Sequence, residues 1–475
     1  MKETSLANTK LIMLLKTLND REWLHLAKFI ESPYFNVHEG IHLLFEALQR
    51  NASNIESVTK SSLYKAVFGE EKYNDLRLRH LLSDFLKLLE HFLVVSALLN
   101  DEQEIRVRLL NEYRQRDLEK HFTSTQKLTD KAGQKSPVRD GQFYLHRFRV
   151  EQEKDSFLAQ QLQRSGKTNI EPAAAALDIF YVSQKLRWHC LLLNNRSIVG
   201  DIQPLNFMEE ILGALPGNPV ASEPVVAVYV EVGQMLQFPD QEEHYHQLKV
   251  LLQQEAFRFS QEEARELYAF ARNYCIRKIN SGIKEYLREI FGLYRQALEQ
   301  HLLLEEGFIS PWDYKNIVVT GLRLGEFSWV QNFLNEYRDR LEEKFRENAF
   351  TYNLAKFHFY RQNHPEVVRL LSQVEYDDVF YSLDSRSMLL KTYYELNEVN
   401  ALFSLLDSFS VYLRRNKLVS AHHKTNYANL IRYTRKMLNL KPGAKEDAEK
   451  LRKQIQDTRK VADADWLLEK LAELG

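Results

Sequence analysis

The chain has 475 residues, 44 % hydrophobic and 27 % charged, with 64 Lys and Arg against 65 Asp and Glu. That much apolar material excludes a disordered chain, and the balanced charge excludes a global field drawing the protein to nucleic acid or membrane. Two cysteines, Cys190 and Cys275, exclude a disulfide framework or a four-thiolate zinc site and point to a reducing compartment.

Glycine (16) and proline (11) stand at about half their usual shares of ~7 % and ~5 %. Sheet and nucleotide-binding folds need both for tight turns, whereas long helices joined by short loops need few. An all-α fold is therefore expected. The apolar stretch at residues 11–15 is short, is followed by Lys16 and precedes no small-residue cleavage site, unlike a signal peptide. The longest membrane-like run, residues 92–99, is far short of the ~20 residues a span requires. No membrane association and a cytoplasmic location are expected.

In chain order, Leu11, Leu14, Leu15 and Leu18 recur at helical spacing. Asn19-Asp20 offers an N-cap for a second helix with the stripe Trp23, Leu26, Ala27 and Ile30. Ser32-Pro33-Tyr34-Phe35-Asn36 breaks that helix, and Asn36 is placed to cap the next. Residues 75–99 form a long amphipathic helix with Leu78, Leu81, Leu82, Phe85, Leu88, Leu89 and Phe92 on one face, and residues 101–127 form another. Residues 131–137 read as a linker. Breaks are also expected at Ser165-Gly166, at residues 200–204 and at residues 215–224, the last being the strongest domain boundary. The β-branched run at residues 225–232 has strand propensity. A lone strand leaves its backbone groups unpaired, so this run is read as helix. The regions expected are an N-terminal helical region (1–135), a connecting region (138–215), helical repeats (220–440) and C-terminal capping helices (441–475).

Three similar turns follow residue 310: Leu324-Gly325-Glu326-Phe327, Gln362-Asn363-His364-Pro365 and Leu396-Asn397-Glu398-Val399. Their first residues are 38 and 34 apart, with Val330, Val368 and Leu402 six residues on and Phe333, Leu371 and Leu405 nine on. A helix–turn–helix recurring in the mid-thirties marks a helical solenoid. Residues 311–409, above all Gly325-Glu326-Phe327 with Val330 and Tyr393-Tyr394-Glu395-Leu396-Asn397-Glu398 with Ala401-Leu402, resemble tetratricopeptide repeats. The resemblance implies a superhelical array of antiparallel helix pairs with a peptide-binding concave face, and it brings no catalytic residue. The family's small residues are mostly replaced here: Val318 stands where Gly or Ala is usual, and only Ala355 and Ala401 fit.

Candidate chemistry is sparse. His38-Glu39-Gly40-Ile41-His42 matches the zinc-protease string H-E-x-x-H, in which two His one helical turn apart hold the metal and the Glu acts as base. Gly40 weakens that helix, the capping residue is close, and no third ligand is evident. Ser165-Gly166-Lys167-Thr168 resembles the end of a phosphate loop, yet Gln161 stands where its first Gly belongs. Trp188-His189-Cys190 sets a thiol beside an imidazole, but helical neighbours point about 100° apart, and a buried Cys is inert. His422-His423 and His244-x-His246 read as solvated or packed histidines. Between Arg414 and Lys460 stand 14 Lys and Arg against 4 Asp and Glu. Arg414, Arg415, Lys417, Lys424, Arg432, Arg435 and Lys436 could line one surface for phosphates or an acidic partner. The competing reading is a solvated face paired to the acidic stretch before it. The last helix, from residue 463, presents Leu467, Leu468, Leu471 and Leu474 to the array, with Glu469, Lys470 and Glu473 facing water.

The function expected is a non-enzymatic protein-interaction scaffold without cofactor or metal, whose partner is a protein or peptide. A nucleic-acid or acidic-partner binder using the basic C-terminal surface is the alternative, and a zinc hydrolase using His38, Glu39 and His42 the third.

Overall fold

A computed structural model describes residues 6–161, 168–200, 203–374, 379–440 and 445–474. It is all-α, apart from a two-residue-per-strand hairpin in which Leu304–Glu305 pairs with Phe308–Ile309. Glu306 and Gly307 close that hairpin with φ of 50° and 88°, as a tight two-residue turn requires. Among the described residues, no helix is long and apolar enough to cross a membrane. The chain divides into two compact units, Met1–Val182 and Ser183–Gly475.

In the first unit, helices Lys10–Leu15, Asp20–Glu31, Glu39–Gln49 and Lys60–Phe68 share one core with the long helix Asp75–Asn100. The expected stripe of that helix is its buried face: Leu78, Phe85 and Leu89 are inaccessible and Leu82 is half-buried. Each such Leu or Phe stabilises by roughly 1.5–3 kcal/mol. Asn19 caps Asp20–Glu31 as expected, its Oδ1 accepting from Glu22 N at 3.0 Å while Glu22 Oε2 accepts from Asn19 N at 2.9 Å.

Three expectations here are corrected. Asn36 does not cap the third helix; His38 does, its Nδ1 accepting from Gly40 N at 3.1 Å. Asn36 is spent tying the loop, donating to Ile30 O at 3.1 Å and accepting from His38 N at 2.9 Å. The helix expected over 101–127 is two helices, Glu102–Gln115 and Glu119–Lys135, folded on each other about Asp117 at φ 55°. Periodicity alone does not show that break, because the turn needs no Gly or Pro. The linker expected at 131–137 is helical to Lys135, and Arg139 closes it by donating to the carbonyls of Gly133, Ser136 and Val138.

In the second unit, residues 225–232 lie within the helix Pro224–Gln237, with Val225, Val226, Val228, Tyr229 and Val232 fully buried. A helical hairpin then recurs. Gln261–Asn280 packs on Tyr286–Glu299, Pro311–Arg323 on Phe327–Glu336, Glu343–Tyr360 on His364–Leu371, and Val379–Glu395 on Val399–Arg415. The last three close alike on a left-handed residue: Gly325 (φ 77°), Gln362 (φ 57°) and Asn397 (φ 56°). The next residue's N–H bonds back five residues in each case: Glu326 to Gly321 at 3.0 Å, Asn363 to His358 at 2.9 Å and Glu398 to Tyr393 at 2.9 Å. The structural register is thus 325, 362 and 397, with spacings of 37 and 35, one residue away from the sequence alignment at two of the three turns. In this register Val330, Val367 and Leu402 fall five residues on and Leu334, Leu371 and Leu406 nine on, all buried, whereas the aligned Val368 and Leu405 are only half-buried.

The aromatic residues are largely core. Tyr245, Tyr274 and Tyr286 pack mutually with centroids 5.1–5.6 Å apart. Ala421–Leu438, Lys445–Asp457 and Ala464–Leu474 end the chain. The expected buried face of the final helix holds at Leu467 and Leu471, but Leu474 is 45 % exposed. Lys470, expected to face water, is buried, paired with Glu395 and Glu473, each at 2.9 Å. A long aliphatic stem lets lysine line a packed face when a carboxylate meets its end.

The turn geometry makes a test. Gln362→Gly should stabilise the protein by about 0.5–1 kcal/mol, since glycine takes the left-handed region without strain. A Cβ at Gly321 would lie 2.5 Å from Val330 Cγ2 and 3.2 Å from Phe291 Cε2, so Gly321→Ala should cost about 1–3 kcal/mol. Denaturant midpoints read both; a Gln362→Gly protein less stable than the parent would contradict the cap assignment.

Candidate functional site

The first helices of consecutive hairpins, Pro311–Arg323, Glu343–Tyr360 and Val379–Glu395, lie side by side in the second unit. Helical periodicity puts Trp312 and Lys315 on one stripe of the first, Tyr352, Lys356 and Tyr360 on one stripe of the second, and Asp384, Ser387 and Lys391 on one stripe of the third. These stripes meet. Asp384 accepts from both Lys356 Nζ and the Tyr352 hydroxyl. Tyr381 OH donates to Pro311 O at 3.1 Å, and Lys315 Nζ sits 5.0 Å from the Tyr381 ring and 5.4 Å from the Trp312 ring. Lys391 donates to Asp463 at 2.8 Å and lies 5.2 Å from the Phe359 ring, and Ser387 also donates to Asp463.

The result is a row of cations and carboxylates set among tyrosines. Burial pushes the Asp384 carboxyl up, but the adjacent Lys356 ammonium and the Tyr352 hydroxyl more than offset this and leave it below the usual carboxylate value. Burial raises the Tyr427 phenol, and the charges of Asp384 and Asp463 raise it further. Burial also raises Tyr360, against the opposing charges of Arg323 and Lys391. These tyrosines therefore stay protonated near neutrality.

The sequence reading missed this row because its members are scattered from Trp312 to Asp463. The available signal was a charged residue within an aromatic helical stripe, as in Tyr352, Lys356 and Tyr360.

The basic stretch picked out from the sequence is split by the fold. Arg414 and Arg415 end the helix Val399–Arg415, Lys417 lies in the turn, and Lys424 sits in the first turns of Ala421–Leu438. Among the described residues these four have no ion-pair partner, and all but the half-buried Lys424 are exposed. The other three are engaged. Arg435 pairs with Asp407 at 2.5 Å, so the pairing to the preceding acidic stretch is realised there. Arg432 donates to Tyr433 OH at 2.8 Å, and Lys436 donates to Gln454 Oε1 at 2.8 Å.

His38 is a cap and not a helical residue, so it and His42 do not share the one-turn helical spacing the zinc-protease string requires. His42 instead lies 3.5 Å from Glu46. Among the described residues, no three His, Cys, Asp or Glu side chains come together as metal ligands. Residues 165–167 of the phosphate-loop resemblance lie outside the described residues. Cys190 is buried, its Sγ donating to Tyr229 O at 3.3 Å. Burial raises its thiol and pushes Cys275 up to about 12, so neither is a thiolate near neutrality. His244 meets Glu231 at 2.8 Å and His422 meets Asn426 at 3.1 Å.

No family model matches the chain, and no curated protein or solved structure matches it either.

Asp384→Asn should destabilise the protein by about 2 kcal/mol, because Lys356 would stay largely buried beside a neutral partner. The lowered carboxyl means that this stabilisation is present above the ordinary carboxylate range near pH 4 and is lost as pH falls below it. Denaturation of both proteins across pH 3–7 should therefore show curves that converge at the acid end; a constant difference would refute the assignment.

Proposed function

We propose that this protein is a non-enzymatic interaction scaffold that receives a protein or peptide along the first-helix face of its helical hairpins. The observation carrying this reading is the bridging of three successive first helices by Lys315, Tyr381, Lys356, Asp384 and Lys391. Hairpins stacked at a spacing in the mid-thirties make an extended binding surface, and a degenerate tetratricopeptide-like superhelix is the architecture we assign to residues 311–409. Trp312, 46 % exposed, and Lys315 supply the accessible aromatic and cationic contacts at one end of the row.

A second reading rests on the turn that gathers Arg414, Arg415, Lys417 and Lys424. Cations without carboxylate partners favour phosphates or an acidic partner, and such binding weakens steeply with salt.

One capture experiment from the native cell extract separates the two. The full chain is compared with Trp312→Ala/Lys315→Glu and with Arg414→Glu/Arg415→Glu/Lys417→Glu, each with and without nuclease. The scaffold reading expects a nuclease-resistant protein partner that the first variant loses and the second keeps. Loss only in the second variant, with nuclease sensitivity and a salt slope reduced by roughly 3, would replace it with the nucleic-acid reading. Capture unaffected by either variant would overturn both.

A further inference from the structure

Residues 414–424 carry four Lys and Arg and no Asp or Glu. Arg414 and Arg415 close the helix Val399–Arg415, Lys417 and Leu418 lie in the turn, and Lys424 follows at the start of Ala421–Leu438. None of the four cations has an ion-pair partner among the described residues. Leu418 stands among them 82 % exposed, whereas the next residue, Val419, is 4 % exposed and belongs to the core of the C-terminal helices. The turn holds this arrangement. Asn416 Oδ1 accepts from Leu418 N at 2.9 Å, and Asn416 Nδ2 donates to the Tyr412 hydroxyl at 3.0 Å. An apolar side chain is thus kept in water beside unpaired cations. Covering it is favourable, and a backbone already ordered loses little freedom on binding.

Three kinds of polyanion attract such cations: a nucleic acid, an anionic bilayer and an acidic protein segment. A reader of single-stranded nucleic acid interleaves its cations with open aromatic faces. Here Tyr412 lies beneath Arg386, whose guanidinium is 4.7 Å from the ring, and Tyr427 packs on Phe409 with centroids 5.6 Å apart. A bilayer surface calls for an amphipathic helix with an extended apolar face, which a single leucine in a turn does not supply. An acidic protein segment offers carboxylates, matched by the guanidinium forks of Arg414 and Arg415, and also an apolar side chain for Leu418.

We propose that this turn docks a segment of a partner protein in which carboxylates alternate with apolar side chains. The inference rests on the second reading above, that the turn is a binding surface, and narrows its partner to a protein. Arg414, Arg415 and Lys417 face the carboxylates and Leu418 meets an apolar side chain between them. Charge opposition draws the segment in, and the leucine contact selects it from other polyanions.

Fluorescence anisotropy on the full chain tests this with a labelled peptide of about ten residues in which Asp and Leu alternate, the same peptide with Ser for Leu, and an oligothymidylate of about twenty nucleotides. Co-sedimentation with phosphatidylserine-rich vesicles completes the set. The expected result is saturable binding of the Asp/Leu peptide with Kd at or below about 100 µM, and binding of the Asp/Ser peptide weaker by about fivefold or more. Arg414→Glu/Arg415→Glu/Lys417→Glu should abolish binding, and Leu418→Ser should erase the preference for leucine. All four positions are exposed, and circular dichroism checks that the helices persist in both variants. No saturation by about 1 mM Asp/Leu peptide, an unchanged Kd in the triple variant, or a preference for leucine that survives Leu418→Ser would overturn the proposal. Tighter binding of the oligothymidylate or the vesicles than of the peptide would overturn it and leave the basic surface standing; binding of none of the probes would overturn both.

Discussion

A hairpin of two helices can bury an apolar stripe on each only if the chain reverses within two or three residues, and here it does so by placing one residue in the left-handed region. Asp117, Gln362 and Asn397 accept that strain in place of glycine, and Gly325 avoids it. In each case the following N–H bonds to a carbonyl five residues back, satisfying a backbone group that the helix end would otherwise leave open. The reversal then aims the first apolar residue of the next helix inward: Phe122, Val330, Val367 and Leu402 each follow the turn by five residues and are buried. Close approach of the two helices adds its own demand, met at Gly321, where any side chain would run into Val330.

Stacking these hairpins brings polar side chains from different helices together at partly dry positions. Exposed i,i+4 pairs such as Arg50–Glu46 or Arg79–Asp75 contribute a few tenths of a kcal/mol each and specify little. The pairs bridging separate helices differ in kind. Lys356–Asp384, Lys391–Asp463 and Lys470–Glu395 hold lysines with little solvent contact, so each member depends on the other being in place. Arg187 grips Glu266 in the same way through two bonds of 2.8 Å, beside the Tyr229–Glu263 bond of 2.8 Å. Such pairs fix which helix faces which more than they add stability. The same property leaves the charges of the row from Lys315 to Asp463 already oriented by their partners.

Helical content, the capping of Asp20–Glu31, the buried stripe of Asp75–Asn100 and the helical state of residues 225–232 could be read from the chain, because each depends on neighbours within one or two turns. So could the existence of the repeated turns. Their register could not, since the apolar residues at 367 and 368 or 405 and 406 are interchangeable in pattern, and only packing selects which one is buried. The break at Asp117 was hidden for a related reason: aspartate tolerates the left-handed region but does not announce it. Lys470 read as a surface residue because a lysine's burial depends on a carboxylate 75 positions earlier, Glu395.

The amino-acid sequence by itself determined that this protein is helical, and where helices such as Asp20–Glu31 and Asp75–Asn100 begin and which of their faces is apolar, because those properties follow from local hydrogen bonding and periodicity. Only the tertiary structure decided which charges lie together. It divided the basic C-terminal residues between engaged ones and ones without an ion-pair partner among the described residues, and it assembled the Lys315–Asp463 row from four separate segments. Electrostatic interaction acts through space over a few ångströms, and the order of residues along a chain does not reveal which of them will come that close.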